Sequence, residues 1–273
     1  MRLWVNGQLV TDPYAAAVSP LDHGLTVGDG VFETIKVVDG APFALRRHLE
    51  RLARSAEGLG LEKPDLDQVR EAVAEVVAGW DQPTGRLRIT YTGGPAPLGS
   101  ERGEHPPTLM VGLTELPPRP DTTAVVVVPW LRNERGALTG LKTTSYGENV
   151  KALAFAAERG ASEALFANTA GNLCEGTGSN VFVVIDGRMY TPPLSAGCLA
   201  GVTRALVLEW CDAEEKDLPV SVLEDADEVF LTSTTRDVQA VHAVDGRKLD
   251  APGPLTAQAM QVFARRAADN VDP

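Results

Sequence analysis

Leu116-Pro117-Pro118-Arg119-Pro120 sets the strongest limit on how this chain folds. Proline fixes its own φ, restricts the residue before it and donates no backbone hydrogen bond. Three prolines within four positions can therefore neither continue a helix nor sit inside a sheet, and the segment reads as a stiff linker. A chain of 273 residues also exceeds what one core usually serves. The linker accordingly divides it into an N-terminal α/β domain, residues 1–118, and a C-terminal domain, residues 119–273. Strands and helices alternate without uniform βαβ spacing and without an internal repeat, which points to an α+β (mixed α/β) architecture.

The local patterns are clear in both halves. Leu3-Trp4-Val5, Asn6-Gly7 and Gln8-Leu9-Val10 read as a hairpin, because Asn-Gly suits the two positive-φ positions of a type I′ turn. A strand over Val31–Val38 turns at Asp39-Gly40 into a second strand, Ala41–Leu45. Residues 46–58 carry a helical pattern with Leu49, Leu52, Ala53 and Ala56 on the apolar face. His48, Arg51 and Ser55 share a neighbouring face. A helix opened by Pro64-Asp65 runs to about Ala78, and strands at 85–92 and 107–113 bracket the Gly- and Pro-rich loop 93–106, either a lid or a solvated connection. In the second half, Ala124–Val128 is a fully apolar strand. Residues 147–159 form a helix with Val150, Leu153, Ala154 and Ala157 as its apolar face. The strand Glu228–Leu231 runs into Thr232-Ser233-Thr234-Thr235.

Charge and cysteine content exclude several classes. A net charge of −12 argues against a nucleic-acid partner, whose binders need a basic face, and leaves room for a local cationic pocket that takes a small anion. No apolar run approaches the roughly 20 residues that span a bilayer. The N-terminal segment has no secretory hydrophobic run, and three cysteines without CxxC spacing indicate neither a disulfide framework nor a metal site. The expected setting is cytoplasmic, with no membrane and no metal.

Four features could carry chemistry. The chain has six lysines against nineteen arginines, and Lys142 lies in Gly140-Leu141-Lys142-Thr143-Thr144-Ser145-Tyr146, after a loop and before a helix. A lysine amine forms an imine with an aldehyde; arginine, always protonated, does not. Gly201-Val202-Thr203 begins a helix, where free N–H groups and the helix dipole favour an anion. Thr232–Thr235 offers hydroxyls at a strand end, and Arg51 a guanidinium. Glu175, ahead of Gly176-Thr177-Gly178, is a carboxylate near a close backbone approach, suited to a ring nitrogen. Taken singly these are a polar-loop lysine, an ordinary helix cap, a polar turn, a surface charge and a turn glutamate. Together they describe a site for an aldehyde that carries a phosphate.

Glu175-Gly176-Thr177-Gly178-Ser179-Asn180-Val181-Phe182, Thr191-Pro192-Pro193 and Leu199-Ala200-Gly201-Val202-Thr203-Arg204 resemble the signature of the class IV aminotransferases, the fold-type IV pyridoxal 5′-phosphate enzymes. Gly28–Glu33, His48–Leu52, Lys142–Tyr146 and Asp227–Thr235 match in the same order, so the resemblance spans nearly the whole chain. It implies a two-domain fold, small N-terminal and larger C-terminal, with the cofactor between the domains of a homodimer. It also implies that Lys142, in the C-terminal domain, carries the cofactor as an imine and moves the substrate proton. Glu175 would pair with the ring nitrogen, Tyr146 with the phenolic oxygen, and Leu199 would pack on the ring. Arg51, Val202, Thr203 and Thr234 would hold the phosphate, with Phe32, Arg88 and Thr235 toward a small amino or keto acid.

Within that family the residues lean toward transamination. Glu33 matches the aminotransferases, whereas loop 93–106 lacks the Arg-x-His pair of the D-amino-acid enzymes. Arg88 is either an acid-binding group or a surface strand charge. The alternative activity is aminodeoxychorismate lyase, which releases pyruvate and which the chain length suits. A cofactor-binding protein without turnover would need a defect at Lys142 or Glu175, and neither shows one.

Overall fold

In the computed structural model, which describes residues 1–15 and 17–273, Asn6 and Gly7 take positive φ, 44° and 95°. They join strands Arg2–Val5 and Gln8–Leu9 as the Asn-Gly pair predicts. This hairpin edges an antiparallel sheet in the order Gln8–Leu9, Arg2–Val5, Thr108–Glu115, Thr84–Thr92, Gly30–Val38, Ala41–Pro42. The sheet belongs to a compact unit made of Met1–Pro117, Leu141–Tyr146 and Val271–Pro273. Val31, Ile35 and Val37, at period two, bury one strand face against Leu49, Leu52 and Ala56 of helix Leu45–Gly58. Helix Leu66–Val77 adds Val69, Ala72, Val73 and Val76 to that core. The carboxylate of Asp65 starts it by accepting the N–H groups of Asp67 and Gln68 (2.9 and 3.2 Å).

Two local expectations change in this unit. The strand predicted over Ala41–Leu45 spans only Ala41–Pro42. Pro42 gives the ladder no N–H, Phe43 N–H makes one last bond to Lys36 O (2.8 Å), Ala44 turns left-handed at φ 53°, and Leu45 already begins the helix. The second change concerns Leu141–Tyr146. Thr143 bridges Val31, Phe32 N–H donates to Lys142 O (3.0 Å), and Thr144 N–H donates to Gly30 O (2.8 Å). Gly58 leaves space for Leu141, because a Cβ there would meet Leu141 Cδ2 at 2.6 Å. A single cut after residue 118 does not capture this excursion. Lys142 belongs to the first unit because the backbone of its segment bonds to Gly30–Phe32 of that unit.

The second unit holds Pro118–Gly140 and Gly147–Asn270. Its mixed sheet runs Ala213–Glu215, Arg188–Thr191, Asn180–Ile185, Glu228–Ser233, Asp237–Val244, Thr122–Arg132, Glu163–Asn168, Leu173–Gly176, and Arg247–Lys248 pairs with Asp237–Val244. Thr122–Arg132 is parallel to both neighbours. One face buries Leu165, Leu173, Val181, Val183, Val229 and Leu231.

Helix Gly147–Ala157 forms where predicted, but on a different face. Ala152 and Ala156 pack on Val126, Val128, Ala164 and Phe166. Alanine lets the helix approach the strands closely, which the larger residues would prevent. Val150 and Leu153 are left 66% and 44% exposed. No helix among the described residues is long and apolar enough to cross a membrane.

Candidate active site

An acid interrupts the apolar row of strand Gly30–Val38. Glu33 is fully buried between Val31 and Ile35 on the face that helix Leu45–Gly58 covers. The helix answers it with the face His48–Arg51–Ser55. Arg51 donates from Nε and Nη2 to the two Glu33 oxygens (2.7 and 2.6 Å). His48 Nδ1 lies 2.7 Å from Oε2. Burial alone would raise the Glu33 pKa, but the Arg51 charge and the hydrogen bonds from Arg51 and His48 hold it down to about 2. Burial depresses the His48 pKa, against the pull of Glu33 and with help from the charges of Arg51 and Lys142. Arg51, which taken singly reads as a surface charge and with its neighbours as a phosphate ligand, is a buried cation oriented by a carboxylate.

The opposite face of the same strand carries Phe32. Lys142 Nζ lies 4.4 Å from its ring centroid, and the Arg88 guanidinium carbon 3.8 Å. The Tyr146 ring meets Phe32 edge-on at 5.2 Å. Arg88 reaches the ring because its strand places it opposite Thr34, two residues along from Phe32 on one face. Lys142 reaches it because backbone bonds, including Lys142 N–H to Ser55 Oγ (3.2 Å), hold its segment. Loop 93–106 is tied down: Arg102 donates to both Asp29 oxygens (2.8 and 2.7 Å) and to the carbonyls of Leu59 and Gly60.

The second unit gathers the remaining residues. Glu175 Oε2 accepts Leu199 N–H (2.9 Å), and Oε1 lies 3.4 Å from Arg132 Nε. Beyond Glu175 the turn is built around buried Glu163. That carboxylate accepts Thr177 N–H (3.0 Å), the Thr177 hydroxyl and Ser179 Oγ (2.9 Å). Asn180 Nδ2 donates to Leu199 O (2.9 Å). Gly201 is the N-cap of helix Val202–Trp210 and offers no side-chain cap. A Cβ at Gly201 would fall 2.0 Å from Asn180 Oδ1, so a larger residue would have to displace the Asn180 amide that bonds Leu199 O. Val202 and Thr203 are buried at that helix start. Thr232 pairs with Asn180 across the sheet, and its Oγ1 is buried with no hydrogen-bond partner among the described residues. Thr234 and Thr235 follow in the turn to strand Asp237–Val244.

Phe32, Arg88, Lys142 and Tyr146 thus share one aromatic ring, while Arg51 sits with Glu33 on the other face of the strand. Glu175 and Leu199 are joined by a hydrogen bond. His48, Arg132, Glu163 and Asn180 received no role from the sequence. Glu163 had a usable signal, a carboxylate opening an apolar strand. Arg132 had none, because its partners lie 16 to 43 residues away.

A sequence profile described as Amino-transferase class IV matches residues 30–244. D-alanine aminotransferase of Bacillus licheniformis is 32% identical over 272 residues, covering 94% of this chain and 93% of the relative. The bifunctional aminodeoxychorismate lyase / D-amino acid transaminase of Mycobacterium tuberculosis is 31% identical over 252 residues, covering 81% and 84%. A fold IV transaminase of Curtobacterium pusillum superposes with a TM-score of 0.85 at 33% identity, covering 96% of this chain and 93% of that one. The α+β architecture is that of the fold-type IV transaminases. Its residues and its likeness together make this chain an enzyme of the transaminase type, a member of the class IV aminotransferase family.

Proposed function

We propose that this enzyme uses pyridoxal 5′-phosphate to move an amino group between an amino acid or amine and a 2-oxo acid. The reading rests on the setting of Lys142, whose amine lies 4.4 Å from the Phe32 ring centroid in a segment held by backbone bonds. The class IV family depends on this cofactor, and the residues fit it. The uncapped start of helix Val202–Trp210 and the hydroxyls of Thr203 and Thr234 suit a phosphate. Arg51 adds a charge already oriented by Glu33. When bound, the cofactor supplies an electron sink for the charge left at a substrate carbon. Lys142 holds the aldehyde and moves the proton, and Glu175 keeps a proton on the ring nitrogen. Tyr146 serves the phenolic oxygen and Leu199 packs on the ring. Phe32, Arg88 and Thr235 face the substrate, with Arg88 matched to an acidic one.

The alternative, aminodeoxychorismate lyase, has the support of a bifunctional relative. A paired assay separates the two. Amino donors alone are expected to convert the bound cofactor to its amine form, and aminodeoxychorismate to release little pyruvate. Pyruvate release without an amino acceptor, together with no amine form, would sink the transaminase reading.

The working form is a homodimer. Val150 and Leu153 are 66% and 44% exposed, and in the same unit Trp130 and Leu131 are 37% and 53% exposed, with Trp130 meeting Phe155 of the same helix edge-on. An apolar face of this kind favours association. Leu153→Glu is expected to shift the protein from dimer to monomer in light scattering; a dimer unchanged by it would count against this face.

A further inference from the structure

Arg132 plays no part in the chemistry assigned so far, yet it meets the oxygen of Glu175 that Leu199 does not. It ends strand Thr122–Arg132, and its guanidinium carbon lies 4.0 Å from the Phe166 ring centroid. Nη2 donates to Asn149 Oδ1, and Nη1 reaches Glu148 Oε2 at 3.3 Å. Nε is buried, makes no hydrogen bond among the described residues, and lies 3.4 Å from Glu175 Oε1 as an ion contact. Asn149 in turn donates from Nδ2 to Thr177 O (2.8 Å), two residues past Glu175. The same few side chains thus fix both the cation and the turn that presents the acid.

We propose that Arg132 is a positioning residue for the ring-nitrogen acid. Its fixed charge keeps Glu175 ionised and in one orientation, so a proton shared with an aromatic nitrogen stays on the nitrogen. The inference rests on the pyridoxal phosphate reading. A carboxylate beside a cation is a weaker base. Moving the shared proton onto Glu175 would leave the guanidinium beside a neutral acid at a site largely shielded from water. Glu148 cannot take the place of Glu175, because its side chain is 78% exposed and its charge is screened by solvent. Stacking on Phe166 favours arginine over lysine here, since a planar cation keeps its orientation on a ring.

The test is a double-mutant cycle on the full-length protein, read as the dissociation constant of pyridoxal phosphate by equilibrium dialysis and as the spectrum of the bound form. Arg132→Met is expected to weaken binding about tenfold with Glu175 present, and less than about twofold in a Glu175→Gln background. Arg132→Lys should recover part of the loss, since it restores charge without the fork. Melting temperatures of the cofactor-free forms report folding separately, and Arg132→Lys provides the readout if the methionine variant unfolds. Equal losses in both backgrounds would mean that Arg132 acts only as structure, and the proposal would fall. A protein that takes up no pyridoxal phosphate with all residues intact would overturn the cofactor reading itself, a distinguishable failure.

Discussion

Lys142→Ala is expected to lower the half-reaction with an amino donor by at least about 10⁴-fold, the upper range for a positioned proton-transfer group. It should also remove the absorbance of lysine-bound cofactor. The effect should be chemical rather than structural. The bonds that fix this segment are made by the backbone, Lys142 N–H to Ser55 Oγ and Phe32 N–H to Lys142 O. Alanine keeps both, so far-UV circular dichroism and the melting temperature should change little. Lys142→Arg would keep the cation beside Phe32 but cannot form an imine, and it should be as inactive. Turnover within tenfold of the unaltered protein in either variant would refute the role of Lys142.

Glu33→Ala should destabilise the first unit by roughly 3–5 kcal/mol, because it removes the buried carboxylate that two Arg51 nitrogens and His48 Nδ1 meet. That is a large share of the stability of an ordinary domain. The same cluster fixes an acid response. Glu33 has a folded pKa of about 2 against an ordinary 4.5, so its contribution is complete above about 4.5 and lost as pH falls toward about 2. Those two values imply roughly 3 kcal/mol at neutral pH. The folded pKa of His48 is also depressed, so the unfolded chain takes up its proton first and stability begins to fall below the ordinary histidine value of 6.5. Both groups act in the same direction. Denaturant melts from pH 7 to pH 3 should show a decline that Glu33→Gln flattens below 4.5; an unchanged slope in that variant would remove Glu33 as the cause.

Local chemistry was the legible part of this fold. Asn6-Gly7 marks its turn because two positive-φ positions leave few alternatives, and Asp65 marks its helix start because a carboxylate can accept orphan N–H groups. The buried side of helix Gly147–Ala157 was not legible: hydrophobicity ranks Val150 and Leu153 above Ala152 and Ala156, whereas close packing selects the alanines. The family residues were legible as a set of motifs. The environment of Arg51 was not, since it needs an acid eighteen residues earlier on a facing strand. The pairing of Thr143 with Val31 lies still further outside any local pattern.

That pairing bears on the order of assembly during synthesis. Residues 1–117 leave the ribosome before Leu141–Tyr146 can pair with Gly30–Phe32, and Val271–Pro273 emerges only after the second unit has been made. The N–H of Ala44 and the side chains of Arg46 and Arg47 wait for it: Ala44 N–H bonds Val271 O, and both arginines donate to Pro273 O. Contacts this distant along the chain form slowly, because closing their loops costs entropy first. The first half of the molecule to be translated is therefore the last to be finished, and a fragment ending near residue 118 has every strand of its sheet but lacks the lysine-bearing segment.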